Sequence, residues 1–492
     1  MQCYEGGKAY GEGDGRVRPV TSRLALAGLC GLMMVVSGCA VVPDVDRSLA
    51  ELGPATAPRT QIVSADGPLP AQQSAALLED LEEEAGAATL LERHRLVEER
   101  VAGAPLTAGN ATTLLRDGEG TFAAVFDAIR SAKDHVNLEY YTIEDIAYRG
   151  ERLSDLLIDR RRAGVQVNVI YDSYGSDETP AEFFDRLARA GVNLVEFRPV
   201  NPLDALAEGY SPNDRDHRKI MVVDGRIGIL GGVNLASYYQ SKVPGSDGAE
   251  EAAEDAQEEG TPPPVWRDLS LRIEGPAVAQ LQRLFLGHWQ SGGGAPLEQS
   301  GFFPDLPVRD GEVVRIIGSS PQQQISRFYV TLISAIRSAE RRVWLTTAYF
   351  VPTDEEVEAL EEAAERGVDV RLMLPAESDA AEAVAIARTH YEDLLEAGVR
   401  IFEVEGVILH SKTVTIDGVW SAIGSSNFDH RSVLFNDEVD AVVLGTDVAR
   451  ALQRRFAEDA RLAREISASE WNRRPVIEKI GDFIHRPWMP LF

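Results

Sequence analysis

His217-Arg218-Lys219-Ile220-Met221-Val222-Val223-Asp224 and His410-Ser411-Lys412-Thr413-Val414-Thr415-Ile416-Asp417 are two copies of one pattern, H-x-K-x-x-x-x-D. The first runs on to Gly231-Gly232-Val233-Asn234, the second to Gly424-Ser425-Ser426-Asn427. Histidine and lysine two positions apart on a strand point to the same face. Asp224-Gly225 and Asp417-Gly418 are hairpin-turn dipeptides, so each copy reads as a strand, a tight turn and a returning strand. The small residues of the return suit a close approach of backbone, with Asn234 and Asn427 beside the site.

The repeat extends outward from these segments. Ala128-Ile129-Arg130-Ser131-Ala132 is matched by Ala335-Ile336-Arg337-Ser338-Ala339. An apolar strand follows each, Val136 to Tyr141 and Val343 to Phe350, and then a helix ending in Gly164 or Gly367. Buried runs follow from Val165 to Tyr171 and from Val368 to Leu374. Helices alternating with continuous apolar strands predict α/β layers around a largely parallel sheet. The expected architecture is therefore α/β: two repeated α/β/α domains, at 106–295 and 310–492, forming a pseudo-dimer with one shared active site. A Gly/Pro linker over 296–309 joins them. Residues 243–264 read as an acidic surface insertion in the first domain.

Composition limits the function. The 492 residues carry a net charge of −29, which argues against a general nucleic-acid binder. Lysine occurs at only six positions: 8, 133, 219, 242, 412 and 479. Two of them stand in the repeated motif, which points to a need for compact ammonium groups there. Cysteine occurs only at 3, 30 and 39, so the body of the chain has neither disulfide nor thiolate metal ligand.

Arg16, Arg18 and Arg23 precede an apolar run from Leu24 to Val36, then Ser37-Gly38-Cys39. This is the layout of a secretory signal, and the run is short for a membrane span. Val36-Ser37-Gly38-Cys39 resembles a bacterial lipobox, so residues 1–39 are expected to be a lipoprotein signal peptide with lipidation at Cys39. A short transmembrane anchor with an incidental cysteine is the alternative. Glu5, Glu12 and Asp14 are unusual in such a leader and fit a start further downstream. Residues 40–105 read as a tether and helical spacer: the first half is Pro-broken, and Leu77 to Val101, rich in Leu, Glu and Arg, reads as one or two helices that pack on the domain or act as a spacer.

Two histidines, two lysines and two amides suit phosphodiester chemistry. Lysine and asparagine would neutralise and orient phosphate oxygens. One imidazole could attack phosphorus and the other could serve as acid and then base. Metal ligation by His217 and His410 is disfavoured, because no carboxylate-rich ligand set adjoins them and a neighbouring lysine would repel a cation. For Asp224 and Asp417, a catalytic and a turn-forming role are both open.

The duplicated H-x-K-x4-D resembles the hallmark of the phospholipase D superfamily, over nearly everything from residue 106 onward. Within it the chain is most similar to bacterial cardiolipin synthases. The resemblance rests on Ile423 to Ser432 (I-G-S-S-N-F-D-H-R-S) and Asn436-Asp437-Glu438. It rests also on Val136 to Tyr141, Trp266-Arg267-Asp268 and Trp471-Asn472-Arg473-Arg474-Pro475. It implies His217 as nucleophile and His410 as acid and base, with Lys219, Lys412, Asn234 and Asn427 around the phosphate. It implies that Glu438 orients His217 and Asp268 orients His410, each from the opposite half, and that no cofactor is needed.

The expected function is that of a membrane-associated phosphatidyltransferase making cardiolipin and glycerol from two phosphatidylglycerols. A hydrolytic phospholipase D is the alternative; a nuclease or a non-catalytic lipid-binding lipoprotein ranks lower. Expected partners are phospholipid substrates and, through the N-terminal lipid anchor, a membrane of the bacterial cell envelope, facing the periplasm or exterior; no nucleic acid is expected. One departure is plain: cardiolipin synthases with this second motif usually carry N-terminal transmembrane helices, and this chain carries a lipobox. His94, His135, His288, His390 and His485 read as surface or packing residues. His430 could shape the pocket, and Trp488 to Phe492 could meet a bilayer interface or dock on the domain.

Overall fold

The structure, a computed structural model, describes residues 42–51, 60–86, 90, 97–200, 211, 213–240, 264–298, 301–323 and 326–475. The signal sequence with Cys39, His94, nearly all of the acidic insertion, His485 and the closing 488–492 lie outside the described residues.

The motif hairpins form as their turns require. Lys219–Val223 pairs antiparallel with Ile227–Gly231, and Thr413–Ile416 with Trp420–Gly424. Asp224 and Asp417 take positive φ, 52° and 51°, a conformation aspartate tolerates better than most residues. Around the first hairpin the strands run in the order Thr107–Arg116, Leu269–Glu274, Ile227–Gly231, Lys219–Val223, His135–Tyr140, Gln166–Asp172, Asn193–Phe197. The second half repeats this order with Glu312–Ser319, Asn436–Leu444, Trp420–Gly424, Thr413–Ile416, Arg342–Thr346, Asp369–Pro375, Arg400–Val404.

Within these two orders only the last two pairings of each are parallel. The sheets are mixed rather than largely parallel, because the Asp-Gly hairpin forces its strands and their neighbours to alternate. The α/β repeat itself is as expected. The two sheets join where Thr107 and Asn110 pair antiparallel with Val314 and Glu312.

Strand periodicity divides each motif between two cores. Ile220 and Val222 pack with Leu230, Leu271, Ile316, Ile423, Val439 and Ala441, a layer built from both halves. Met221 and Val223 face the other way, onto Phe126, Val136 and Val167 under the first half's helices. The side chains of one strand thus weld the halves together and anchor the motif to its own domain.

Of the two roles open to the helical part of residues 40–105, packing on the domain or spacing, the described residues show packing. Val45, Ile62, Leu78, Leu90, Val101 and Leu106 are buried in the same core as Ile333, Ile336 and Leu360 of the second half. Val63 pairs with Thr107, extending the sheet. The leucines at helical spacing in Ala71–Ala85 have an apolar surface to cover, and burying them favours docking over a free spacer. Among the described residues, no helix is long and apolar enough to cross a membrane.

Leu78→Ala should therefore destabilise the protein by about 2–4 kcal/mol, as for other buried leucine truncations. Urea unfolding checks this; an unmoved midpoint would restore the spacer reading.

Candidate active site

Two short parallel pairings cross between the halves, and each ends at a motif histidine. Arg215–Asp216 pairs with Asn436 and Asp437, and the His217 N–H donates to Asp437 O at 2.9 Å. Val265–Arg267 pairs with Val407–Leu409, and the His410 N–H donates to Arg267 O at 2.7 Å. The next residue of each partner strand is an acid, Glu438 or Asp268. Backbone pairing thus sets each histidine beside a carboxylate from the other half.

The side chains complete the pattern. His217 Nδ1 lies 3.0 Å from both oxygens of Glu438. His410 Nδ1 lies 2.7 Å from Asp268 Oδ2 and 2.8 Å from the Tyr239 hydroxyl, which itself donates to Asp268 at 3.1 Å. A carboxylate on Nδ1 fixes the tautomer and leaves Nε2 for chemistry. Glu438 is held by three more donors, Ser425, Ser432 at 3.0 Å and Asn436 at 3.1 Å. Gly232 leaves the room Asp268 needs: a Cβ there would stand 2.2 Å from Asp268 Oδ1.

Both histidines line one cavity of about 220 Å³, with Tyr141, Arg215, Asn234, Tyr238, Trp266, Tyr349, Asp379, Asn427, Asp429, Arg431 and Asn436. A larger cleft of about 820 Å³ holds neither motif histidine and lies behind Arg218, His288 and Asp437. The lysines are almost wholly buried. Lys219 Nζ donates to His217 O at 2.7 Å and faces the Tyr141 ring. Lys412 Nζ lies 2.9 and 3.1 Å from the two ring nitrogens of His410 and faces the Tyr349 ring. The two halves thus repeat a histidine and a tyrosine in the lining of one cavity, each tyrosine faced by a buried lysine.

Burial dominates the electrostatics. It pushes His217 down to about 4, helped by the two lysines and opposed by Glu438. Burial works to raise Glu438, but His217, Lys219 and Ser425 pull it down to about 2, so it stays ionised. Burial also lowers Lys219 to about 7 and Lys412 to about 8, and it lowers His410 together with the Lys412 charge. An entering phosphodiester anion would raise all these cations toward their protonated forms.

His217, Lys219, His410, Lys412, Asp268, Glu438, Asn234 and Asn427 are brought together. Asp224 and Asp417 are not. Each sits at the far end of its strand, and its carboxylate accepts three backbone N–H groups: Lys133, Asp134 and His135 at 2.8–2.9 Å, or Glu340, Arg341 and Arg342 at 2.8–2.9 Å. Of the two roles left open, the geometry shows the structural one, a clasp between hairpin and neighbouring strand. His430 Nδ1 is 3.0 Å from Val351 O, outside the group lining the cavity.

His288 is more than packing. Its Nδ1 lies 2.9 Å from Glu139 and 3.6 Å from Asp216, and its Nε2 3.9 Å from Asp437. Burial would strip its proton, yet Asp216 and Glu139 hold its pKa up at about 9. Arg218, inside the first motif, reaches Glu139, Asp437 and the Glu438 carbonyl from the same side. Glu139, Asp216 and His288 are ligand types for a cation, but Arg218 and His288 already supply positive charge there. Of the residues no motif revealed, Tyr141 and Tyr349 had a signal, since each lies shortly after the matching strand of its half, His135–Tyr140 or Arg342–Thr346. Tyr239 had none, because its role depends on a contact across the fold, whereas Ser425 and Ser432 stand in the second-motif segment without a sign that they hold Glu438.

The family model described as "Cardiolipin synthase, PLD-like domain" matches residues 125–241 and 332–460. The chain is 34% identical over 394 residues to the cardiolipin synthase of Geobacillus kaustophilus, covering 80% of this chain and 74% of the relative. It is 34% identical over 399 residues to cardiolipin synthase A of Pseudomonas syringae pv. syringae, covering 80% and 77%. Its fold is similar to the crystal structure of phosphatidylserine synthase from Haemophilus influenzae Rd KW20, with a TM-score of 0.58, 12% identity, and coverage of 81% and 100%.

The pH dependence of kcat/KM reports groups of the free protein, as macroscopic values of the coupled set. Activity should fall as pH rises through about 7 to 8, where Lys219 and Lys412 lose their protons. It should fall again as pH drops toward about 4, where His217 gains one. A plateau that persists to pH 10 would contradict the buried-lysine account.

Proposed function

Because the chain belongs to the cardiolipin synthase family of phospholipase D-like proteins, we propose that it moves a phosphatidyl group between alcohols through a phosphatidyl-His217 intermediate. Its activity is that of a phosphatidyltransferase of the cardiolipin synthase type. The observation that carries the mechanism is the pair of histidines facing one cavity, each with Nδ1 held by a carboxylate of the opposite half.

Cardiolipin is two phosphatidyl groups on one glycerol. Making it from phosphatidylglycerol requires one exchange at phosphorus. Neutral His217 uses its Nε2 lone pair to attack phosphorus, and the bond from phosphorus to the head glycerol breaks. The departing oxygen takes the proton of the His410 imidazolium, and glycerol leaves. A glycerol hydroxyl of a second phosphatidylglycerol then gives its proton to neutral His410 and attacks phosphorus, expelling His217. The depressed basicity of His217 supports the nucleophile role, since the neutral form predominates near pH 7. Phosphate held between Lys219 and Lys412 would favour the protonated His410 that the first step needs.

The proposal includes attachment to the bacterial cell envelope through acylated Cys39, facing the periplasm or exterior; it rests on the Val36-Ser37-Gly38-Cys39 motif. A net charge of −29 speaks against nucleic acid as the substrate.

Purified protein with phosphatidylglycerol in mixed micelles and excess EDTA should form cardiolipin and glycerol in equal amounts. His217→Ala should lower the rate by at least about 10³-fold, as removal of a covalent nucleophile does. Phosphatidic acid as the sole lipid product would assign the protein to the hydrolases, and loss of activity on chelation would overturn the metal-free mechanism.

A further inference from the structure

Two carboxylates line the cavity, Asp379 and Asp429, and the Asp429 carboxylate is committed to the Ser432 N–H at 2.8 Å. Beside His217 stand Arg215 and Asn436, paired in the cross-half bridge, with Arg431 also in the lining. Beside His410 stand Trp266 and Tyr349, with ring centroids at 5.3 and 6.0 Å, and the lining there includes a carboxylate, Asp379. Asp379 lies between strand Asp369–Pro375 and helix Ala381–Arg388. The Tyr349 hydroxyl reaches both of its oxygens, at 2.9 and 2.8 Å, and the Ser378 hydroxyl donates to Oδ1 at 2.9 Å. The same Tyr349 ring packs edge-on to His410 and faces Lys412.

A carboxylate is an unexpected lining for a site that takes a phosphodiester anion, because it repels the phosphate. It must serve another part of the substrate. Burial works to raise Asp379, but the charge of His410 and the Tyr349 and Ser378 hydroxyls win and keep it ionised. Two donors leave lone pairs on both oxygens. The repeat shows that this group is particular to one end. Four residues beyond strand Gln166–Asp172, as Asp379 is beyond Asp369–Pro375, the first half has Ser176. Its hydroxyl is committed to Tyr141 O at 3.0 Å.

His410 is the group that protonates the departing alcohol and deprotonates the entering one. The region beside it is therefore where the alcohol lies in both steps. We propose that Asp379, aimed by Tyr349, recognises that alcohol by accepting hydrogen bonds from the free hydroxyls of a glycerol head, first on the leaving and then on the accepting phospholipid. The substrate class is thereby polyol-headed phospholipid rather than alkyl- or ammonium-headed lipid. This deepens, and rests on, the transferase reading above.

The test compares alcohol release by the full chain in mixed micelles from phosphatidylglycerol and from phosphatidylethanol, which has the same phosphate charge and no free hydroxyl. Wild-type protein should favour phosphatidylglycerol in kcat/KM. Asp379→Asn should reduce that preference about ten- to hundredfold, the range for losing hydrogen bonds to a substrate hydroxyl. Tyr349→Phe, which keeps the ring and frees the carboxylate, should reduce the preference in the same direction by less. An unaltered ratio in Asp379→Asn, or an equal loss on both lipids, would overturn the proposal while leaving the transferase reading intact. A wild-type preference for phosphatidylethanolamine over phosphatidylglycerol would overturn the polyol assignment. Wild-type protein that releases alcohol from none of these lipids would overturn the transferase reading and the proposal with it.

Discussion

Everything at the site depends on two short parallel backbone pairings between the halves. They bring Asn436-Asp437 alongside Arg215-Asp216, and Val265 to Arg267 alongside Val407 to Leu409. Neither half alone places a carboxylate on the Nδ1 of its own histidine. The shared apolar layer around Ile220, Val222, Leu271, Val439 and Ala441 supplies the rigidity that keeps those pairings in register. A one-residue slip in either bridge would turn Glu438 or Asp268 away from its imidazole. Folding and the site therefore share an interface: the surface that holds the pseudo-dimer together also places a carboxylate on the Nδ1 of both histidines.

Burying this much charge is costly, and the chain answers with networks rather than isolated pairs. Glu438 receives four donors. Arg218, buried between the halves, spans Glu139, Asp437, Ser319 O and Glu438 O. His288 adds positive charge among three carboxylates. A protonated His288 stabilises the fold fully below its unfolded pKa of 6.5, and that contribution is lost as pH rises through about 9. His217 has the opposite sign: its depressed pKa costs stability as pH falls below 6.5 toward about 4. The network behind the site and the site itself are thus both well served near neutral pH.

Much of this was legible in the sequence because it is written twice. The duplicated motif exposes His217, Lys219, His410 and Lys412, and the matching helices and strands expose the two halves. Asp268 and Glu438 were reachable only through resemblance, since each acts on a histidine more than a hundred residues away. Asp224 and Asp417 belong to the motif, yet their carboxylates hold backbone amides, a role their Asp-Gly turns already hinted at. His288 looked like packing because its partners Glu139, Asp216 and Asp437 are scattered along the chain. In residues 40–105 the leucines mark an apolar helix face, and nothing local shows which surface that face covers. Asp379 breaks the repeat, and a search for symmetry passes over what differs between the halves.

The central claim is that each half fixes the other half's motif imidazole. ¹⁵N NMR of protein labelled at histidine tests it most directly, with His217 assigned by substitution. At pH 7 and without substrate, His217 should be neutral, protonated on Nδ1 with Nε2 bare. Glu438→Gln should disturb that tautomer while the signals of His410 hold. A His217 that is protonated on Nε2, or that is an imidazolium at pH 7, would contradict the account.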